Sequence, residues 1–165
     1  MKHRINYGEF PFGRDLAKVS KQFFGALTHL LKDLDIDRHF GILIAIEKME
    51  DGATQQEIAD KMRMDKVYMV KVINYLIDKG YVIRVKNKAD LRENIVQLTA
   101  KGKKSMPTIH NAVNQLTRRM SKGIEKKEME KFYELLNKVY ENLQDLPTDK
   151  IIVRFRKAKI EKKSL

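Results

Sequence analysis

The sequence predicts a mainly α-helical chain with one small antiparallel β-ribbon set into it, and three observations carry this reading. Apolar residues recur at three- and four-residue intervals from Leu16 to Leu34, over Met69–Leu76, and again from Met129 to Leu143. That is the period of a helix with one buried face. Tyr81–Lys86 and Asn94–Leu98 are rich in β-branched residues and flank the turn-forming Asn87-Lys88-Ala89-Asp90, the pattern of two strands joined by a turn. Thr54, Asp65, Gly80 and Thr99 stand where helices should start or stop.

With 42% hydrophobic residues among 165, the chain has enough apolar material for a packed core. No apolar run approaches the roughly 20 residues that span a bilayer. Met1-Lys2-His3-Arg4 leads into no uninterrupted apolar segment, so no secretory signal is expected. The absence of cysteine removes disulfides, thiolate metal sites and thiol redox chemistry. The cytosol is the expected compartment. The net charge of +12 is unevenly spread: residues 61–104 hold twelve Lys/Arg against four Asp/Glu, whereas residues 31–60 hold three against eight. Such segregation favours an anionic partner for the middle of the chain.

Taken in order, residues 1–14 contain Gly8, Pro11 and Gly13 and read as an extended lead-in pinned by Tyr7, Phe10 and Phe12. A first helix starts at Asp15, with Leu16, Val19, Phe23, Leu27, Leu30 and Leu34 on one stripe. Phe24 and Leu31 widen that stripe beyond what one neighbouring helix covers, which suggests a second subunit. Asp37 is the expected cap of a second helix reaching Met49, with Phe40, Leu43, Ile44 and Ile46 inward. Thr54-Gln55-Gln56-Glu57 is a capping box opening a short helix, Ile58, Ala59 and Met62 inward. Arg63-Met64 makes a turn, and Asp65 caps a helix over Lys66–Lys79 that Gly80 stops. Its inner stripe is Met69, Val72, Ile73 and Leu76. Its outer face carries Lys66, Val67, Tyr68, Val70, Lys71, Asn74 and Tyr75, several of them unusual choices for a face that meets only water. Thr99 caps a long helix to about Ser121 that Pro107 should bend. Gly123 breaks it, and a last amphipathic helix runs on towards Pro147. A basic tail, with strand-like alternation over Ile151–Arg156, closes the sequence.

A compact helix pair followed by a basic hairpin is a device for placing side chains in DNA grooves. The order helix, capped short helix, helix, glycine, basic hairpin and Leu-Thr over residues 54–104 resembles the winged helix-turn-helix of the MarR family of bacterial transcription regulators. Ile58-Ala59, Leu76, Lys79-Gly80, Arg84, Asp90-Leu91-Arg92 and Leu98-Thr99-Ala100-Lys101-Gly102 carry the likeness. It implies a winged lobe over residues 37–104, dimerisation helices over 1–36 and 105–146, and a tail over 147–165. It further implies a homodimer on a pseudo-palindromic operator in double-stranded DNA, most simply a repressor. By this resemblance Lys66, Val67, Tyr68, Val70, Lys71 and Asn74 occupy major-groove positions. Where the family often has small hydroxyl residues, this chain has Val67, Tyr68 and Val70, which implies more methyl contact. Arg92 is then the minor-groove arginine, Asp90 the residue that orients its guanidinium, and Arg84, Lys86, Lys88, Lys101, Lys103 and Lys104 are candidates for phosphate.

The resemblance also implies a small-molecule effector pocket, for which Phe24, His29, Arg38, His39 and His110 are the candidates; dimer-interface packing explains the same residues. The histidines are too scattered for a metal site, and no cofactor is expected. No catalytic order of Ser, His and Asp and no phosphate-binding glycine loop occurs, so an enzyme is not expected. The competing reading is a winged-helix module for protein association that has lost DNA binding.

Overall fold

The structure, a computed structural model, describes residues 11–88 and 90–147. Tyr7, Phe10, Ala89 and the tail with Ile151–Arg156 lie outside the described residues. Among the described residues six helices and two strands follow in the order α1 (Phe12–Leu30), α2 (Phe40–Glu47), α3 (Gln55–Lys61), α4 (Lys66–Asp78), β1 (Val82–Lys86), β2 (Asn94–Leu98), α5 (Ala100–Met120) and α6 (Lys126–Glu141). The chain forms two compact units, 1–122 and 123–165.

In the first unit the core gathers Leu27 and Leu31, Ile36, Leu43 and Ile46 of α2, Ile58 and Ala59 of α3, Met69, Ile73 and Leu76 of α4, Val82 and Val96 of the ribbon, and Met106 and Ile109 of α5. Helix α2 meets α3, α5 and β2, and this explains a departure from the expected one-sided stripe. Ile42 and Ala45 are buried along with Phe40, Leu43 and Ile46, while Ile44 is only half-buried. A helix enclosed on all sides has no polar face to keep.

Several helix ends differ from the sequence reading. Helix α1 begins at Phe12, so residues 12–14 are helical and the stripe to Leu34 continues into a turn after Leu30. Asp37 does not cap α2; it takes a left-handed conformation, φ +48°, two residues before His39 leads into the helix. Aspartate tolerates that region better than most residues, and the bend lets the 31–39 loop fold back on α4. Helix α2 ends at Glu47, short of Met49. Helix α5 runs unbroken through Pro107. Helix α6 stops at Glu141, six residues before Pro147.

The caps of the middle segment are as expected. Thr54 and Glu57 satisfy each other's amides, with Thr54 N–H donating to Glu57 Oε2 at 2.8 Å. Asp65 Oδ1 accepts from Tyr68 N–H at 3.1 Å. Gly80, at φ +73°, makes the left-handed stop after α4. Strands β1 and β2 pair antiparallel, Val82 opposite Leu98 and Lys86 opposite Asn94. The Thr99 hydroxyl donates to Gly80 C=O at 2.7 Å and accepts from Gly102 N–H at 3.1 Å, tying the end of α4 to the start of α5. Gly102 is required by close approach: a Cβ there would lie 2.2 Å from the Tyr81 carbonyl oxygen.

In the second unit α6 starts with a reciprocal cap in which Glu125 N–H donates to Glu128 Oε2 at 2.9 Å. No residue of α6 is buried, and Phe132, Leu135, Tyr140 and Leu143 are exposed. The first turns of α1 likewise expose Phe12, Leu16 and Val19.

Candidate nucleic-acid interface

Helices α3 and α4 are joined by a tight turn in which Met64 N–H donates to Ala59 C=O at 2.8 Å and Arg63 sits at φ +50°. Ala59 is fully buried, and its small side chain allows the close crossing. Burial of Met69, Val72, Ile73 and Leu76 then fixes the rotation of α4. Lys66, Val67, Tyr68, Lys71 and Asn74 are therefore exposed and Val70 is half-buried. Val67 is 63% exposed and Tyr68 44%.

Tyr75 does not share that face. Its hydroxyl reaches the Asp35 carbonyl at 3.4 Å, and its ring meets His39 edge-on at 5.3 Å. The same loop gives Asp35, whose carboxylate pairs with Lys79 at the end of α4. The hydrogen bond from Lys79 holds the Asp35 carboxyl below its ordinary range, and Asp35 in turn raises Lys79. Burial lowers His39, with Arg38 adding to the effect and Asp37 opposing it. Lys101 donates to Lys79 C=O at 2.7 Å and stands 4.2 Å above the Tyr81 ring. The loop after α1, the end of α4 and the start of α5 are thus locked together, which explains the unusual Tyr75 and takes Lys101 into the chain's own contacts.

Arg84 does the same on the wing. Its Nη2 donates to Asn74 Oδ1 at 2.5 Å and to Gln55 Oε1 at 3.4 Å. One guanidinium joins β1 to α4 and α3, so the outer face of α4 and the ribbon form one surface. Lys86, Lys88, Lys103 and Lys104 are exposed. At the wing tip Asp90 Oδ1 accepts from the backbone N–H of Arg92 at 2.9 Å. The carboxylate therefore holds the turn through the backbone, rather than through the Arg92 guanidinium as the sequence suggested. Arg92 itself is exposed. The sequence reading assigned no role to Leu91 or Gln55. Leu91 is 71% exposed between Asp90 and Arg92, and a large aliphatic residue in a turn was the available signal. No local pattern could have paired Gln55 with Arg84, 29 residues away.

Among the described residues the five effector candidates make separate contacts. Phe24 meets Phe23 edge-on with ring centres 5.5 Å apart and lies tilted against Phe40 at 6.3 Å. His39 lies on Tyr75, His29 is exposed in the last turn of α1, and Arg38 is 3.8 Å from the Asp37 carboxylate. His110 Nε2 lies 2.6 Å from Glu47 Oε2, joining α5 to α2. A cleft of about 320 Å³ is lined by Ile46, Glu47, Met49, Glu50, Gln97, Leu98 and Lys103, and only Glu47 links it to those candidates. Among the described residues no three His, Asp or Glu side chains are grouped so as to hold a metal ion. No described helix is long and apolar enough to cross a membrane.

Comparison with known proteins agrees with this geometry. A family model described as MarR family matches residues 32–93, the span from the loop after α1 to the wing tip. A single-substitution variant of MarR from E. coli, solved in complex with operator DNA, is similar at 27% identity and a TM-score of 0.71, over 82% of this chain and 98% of that one. Wild-type E. coli MarR in its apo form is similar at 28% identity and 0.60, over 79% and 96%. A MarR transcriptional regulator from Methanosarcina mazei shares the fold at 24% identity and 0.68, over 79% and 94%. With the six helices and the two-stranded wing of its described residues, and a helix-turn-helix inside the span that the family model matches, this chain is similar to the MarR family of winged helix-turn-helix transcriptional regulators.

Proposed function

We propose that this chain regulates transcription, most simply as a repressor, by binding operator DNA as a homodimer in the cytosol. The observation that carries the reading is the Arg84 contact to Asn74 and Gln55, which makes the outward face of α4 and the basic wing one cationic surface. Lys66, Lys71, Lys86, Lys88 and Arg92 supply its charge. Operator DNA bound to the related E. coli protein supports the same occupant here. Support for the homodimer comes from apolar side chains exposed on α1 and α6, a pattern that marks protein interfaces. Two lobes held by such a dimer would enter major grooves about one helical turn, roughly 34 Å, apart. A small-molecule effector belongs to the same proposal. Its best-supported seat is the cleft beside Glu47, whose bond to His110 an occupant would compete with.

A mobility-shift series on promoter fragments from the protein's own locus, at rising salt, tests the reading. Binding should weaken steeply with salt, because each neutralised phosphate releases counterion. A Leu135→Glu variant should run as a monomer in light scattering and lose the shift. Absence of any shift at low salt overturns the proposal, and so does tight binding by a monomer.

A further inference from the structure

The outward face of α4 is unusual in what it can say to a base edge. Lys66 and Lys71 only donate hydrogen bonds. Asn74 would ordinarily offer both a donor and an acceptor, the combination that pairs with adenine. Here its Oδ1 is held by Arg84 at 2.5 Å. Arginine has no acceptor, so the bond also fixes the amide orientation and leaves the NH₂ as the group Asn74 can present. Asp65 Oδ1 is engaged with the Tyr68 amide. Asp78, the remaining carboxylate of α4, stands eleven residues beyond Val67, about 16 Å along the helix axis. Near the helix start the face offers the Lys66 and Lys71 donors, the Tyr68 hydroxyl, which donates and accepts, and the apolar Val67. Base edges suited to donors are those rich in acceptors, guanine N7/O6 and thymine O4, and of these only thymine carries a methyl group.

We propose that Val67 is a specificity-determining residue that packs on a thymine 5-methyl group in the major groove, on a helix face where Arg84 holds the Asn74 oxygen and leaves its NH₂ to face the bases. The proposal rests on the DNA-binding reading above. Val67 is the second residue of α4, and the first residues of a recognition helix are those that reach base edges. At 63% exposure its methyls are open to contact, and the flanking Lys66 and Lys71 match the charge of the duplex. Asn74 lies seven residues on, about 10 Å along the axis, and so reads a different base pair from Val67.

The test uses the full chain and a pool of random duplexes. The enriched site is resynthesised with uracil replacing thymine at one position at a time, which removes only the methyl. For the parent chain, one pair of symmetry-related thymines should lose about fourfold in affinity per half-site, the effect of one buried methyl group. Val67→Ala should bind thymine and uracil equally at that pair while keeping any preference elsewhere. The proposal is overturned if the parent binds thymine and uracil duplexes alike at every position. It is equally overturned if the preference at that pair survives in Val67→Ala. Enrichment of no duplex would remove the DNA-binding reading itself, and this inference with it.

Discussion

Arg84 and Asn74 meet through a 2.5 Å hydrogen bond that spans from β1 to the outward face of α4. A guanidinium committed inside the chain is a poor phosphate contact and a good brace. Replacing Arg84 with methionine should cost about 1 kcal/mol of unfolding free energy, the usual net value of such a bond. The salt dependence of DNA binding should hardly change. Lys86→Gln should do the reverse, lowering the salt slope by about 0.9 for one lost phosphate contact while stability stays within about 0.5 kcal/mol. Urea denaturation and titration at several salt concentrations measure both.

Asp90 acts on the backbone of Arg92, so its charge should matter less than its acceptor oxygen. Asp90→Asn keeps an oxygen in that place and should leave affinity within a few-fold of the parent. Asp90→Ala frees the turn and should approach Arg92→Ala, which is expected to lose about tenfold on an A·T-rich site and about one unit of salt slope. Equal losses for the Asn and Ala variants would show that the charge, not the turn, is what counts.

His39 is pushed below the ordinary histidine value of 6.5 by burial against Tyr75. A lowered native pKa means that the unfolded chain takes up the proton first. The contribution of His39 is therefore complete above about pH 6.5 and is lost as pH falls through the native value. The parent should lose stability between pH 7 and pH 5, and His39→Phe should lose less over that range. Denaturation midpoints at several pH values, compared between the two chains, isolate this residue from the other histidines.

Gly102 sits inside α5 with the Tyr81 carbonyl where a side chain would go. Alanine ordinarily favours a helix over glycine by up to about 1 kcal/mol. At this position the clash should dominate, and Gly102→Ala should cost about 2 kcal/mol. Gly25, in α1, has nothing within 4 Å of its missing Cβ. Gly25→Ala should therefore stabilise by roughly 0.5–1 kcal/mol, and thermal unfolding of the pair gives opposite signs.

The helix-turn-helix and its wing were legible because each depends on neighbours in sequence. Thr54 with Glu57, Asp65 with the Tyr68 amide, Gly80 and the alternating strands are set within a few residues, by capping geometry and side-chain period. So was the inner stripe of α4, which determines that Val67, Lys71 and Asn74 face outward. Tertiary structure alone decided what those outward residues can do. Whether Arg84 grips Asn74 or a phosphate, whether Tyr75 belongs to the loop at Asp35, and whether α2 is enclosed on all sides depend on contacts between distant segments. Sequence spacing carries no distance between such segments, because packing of the core sets it.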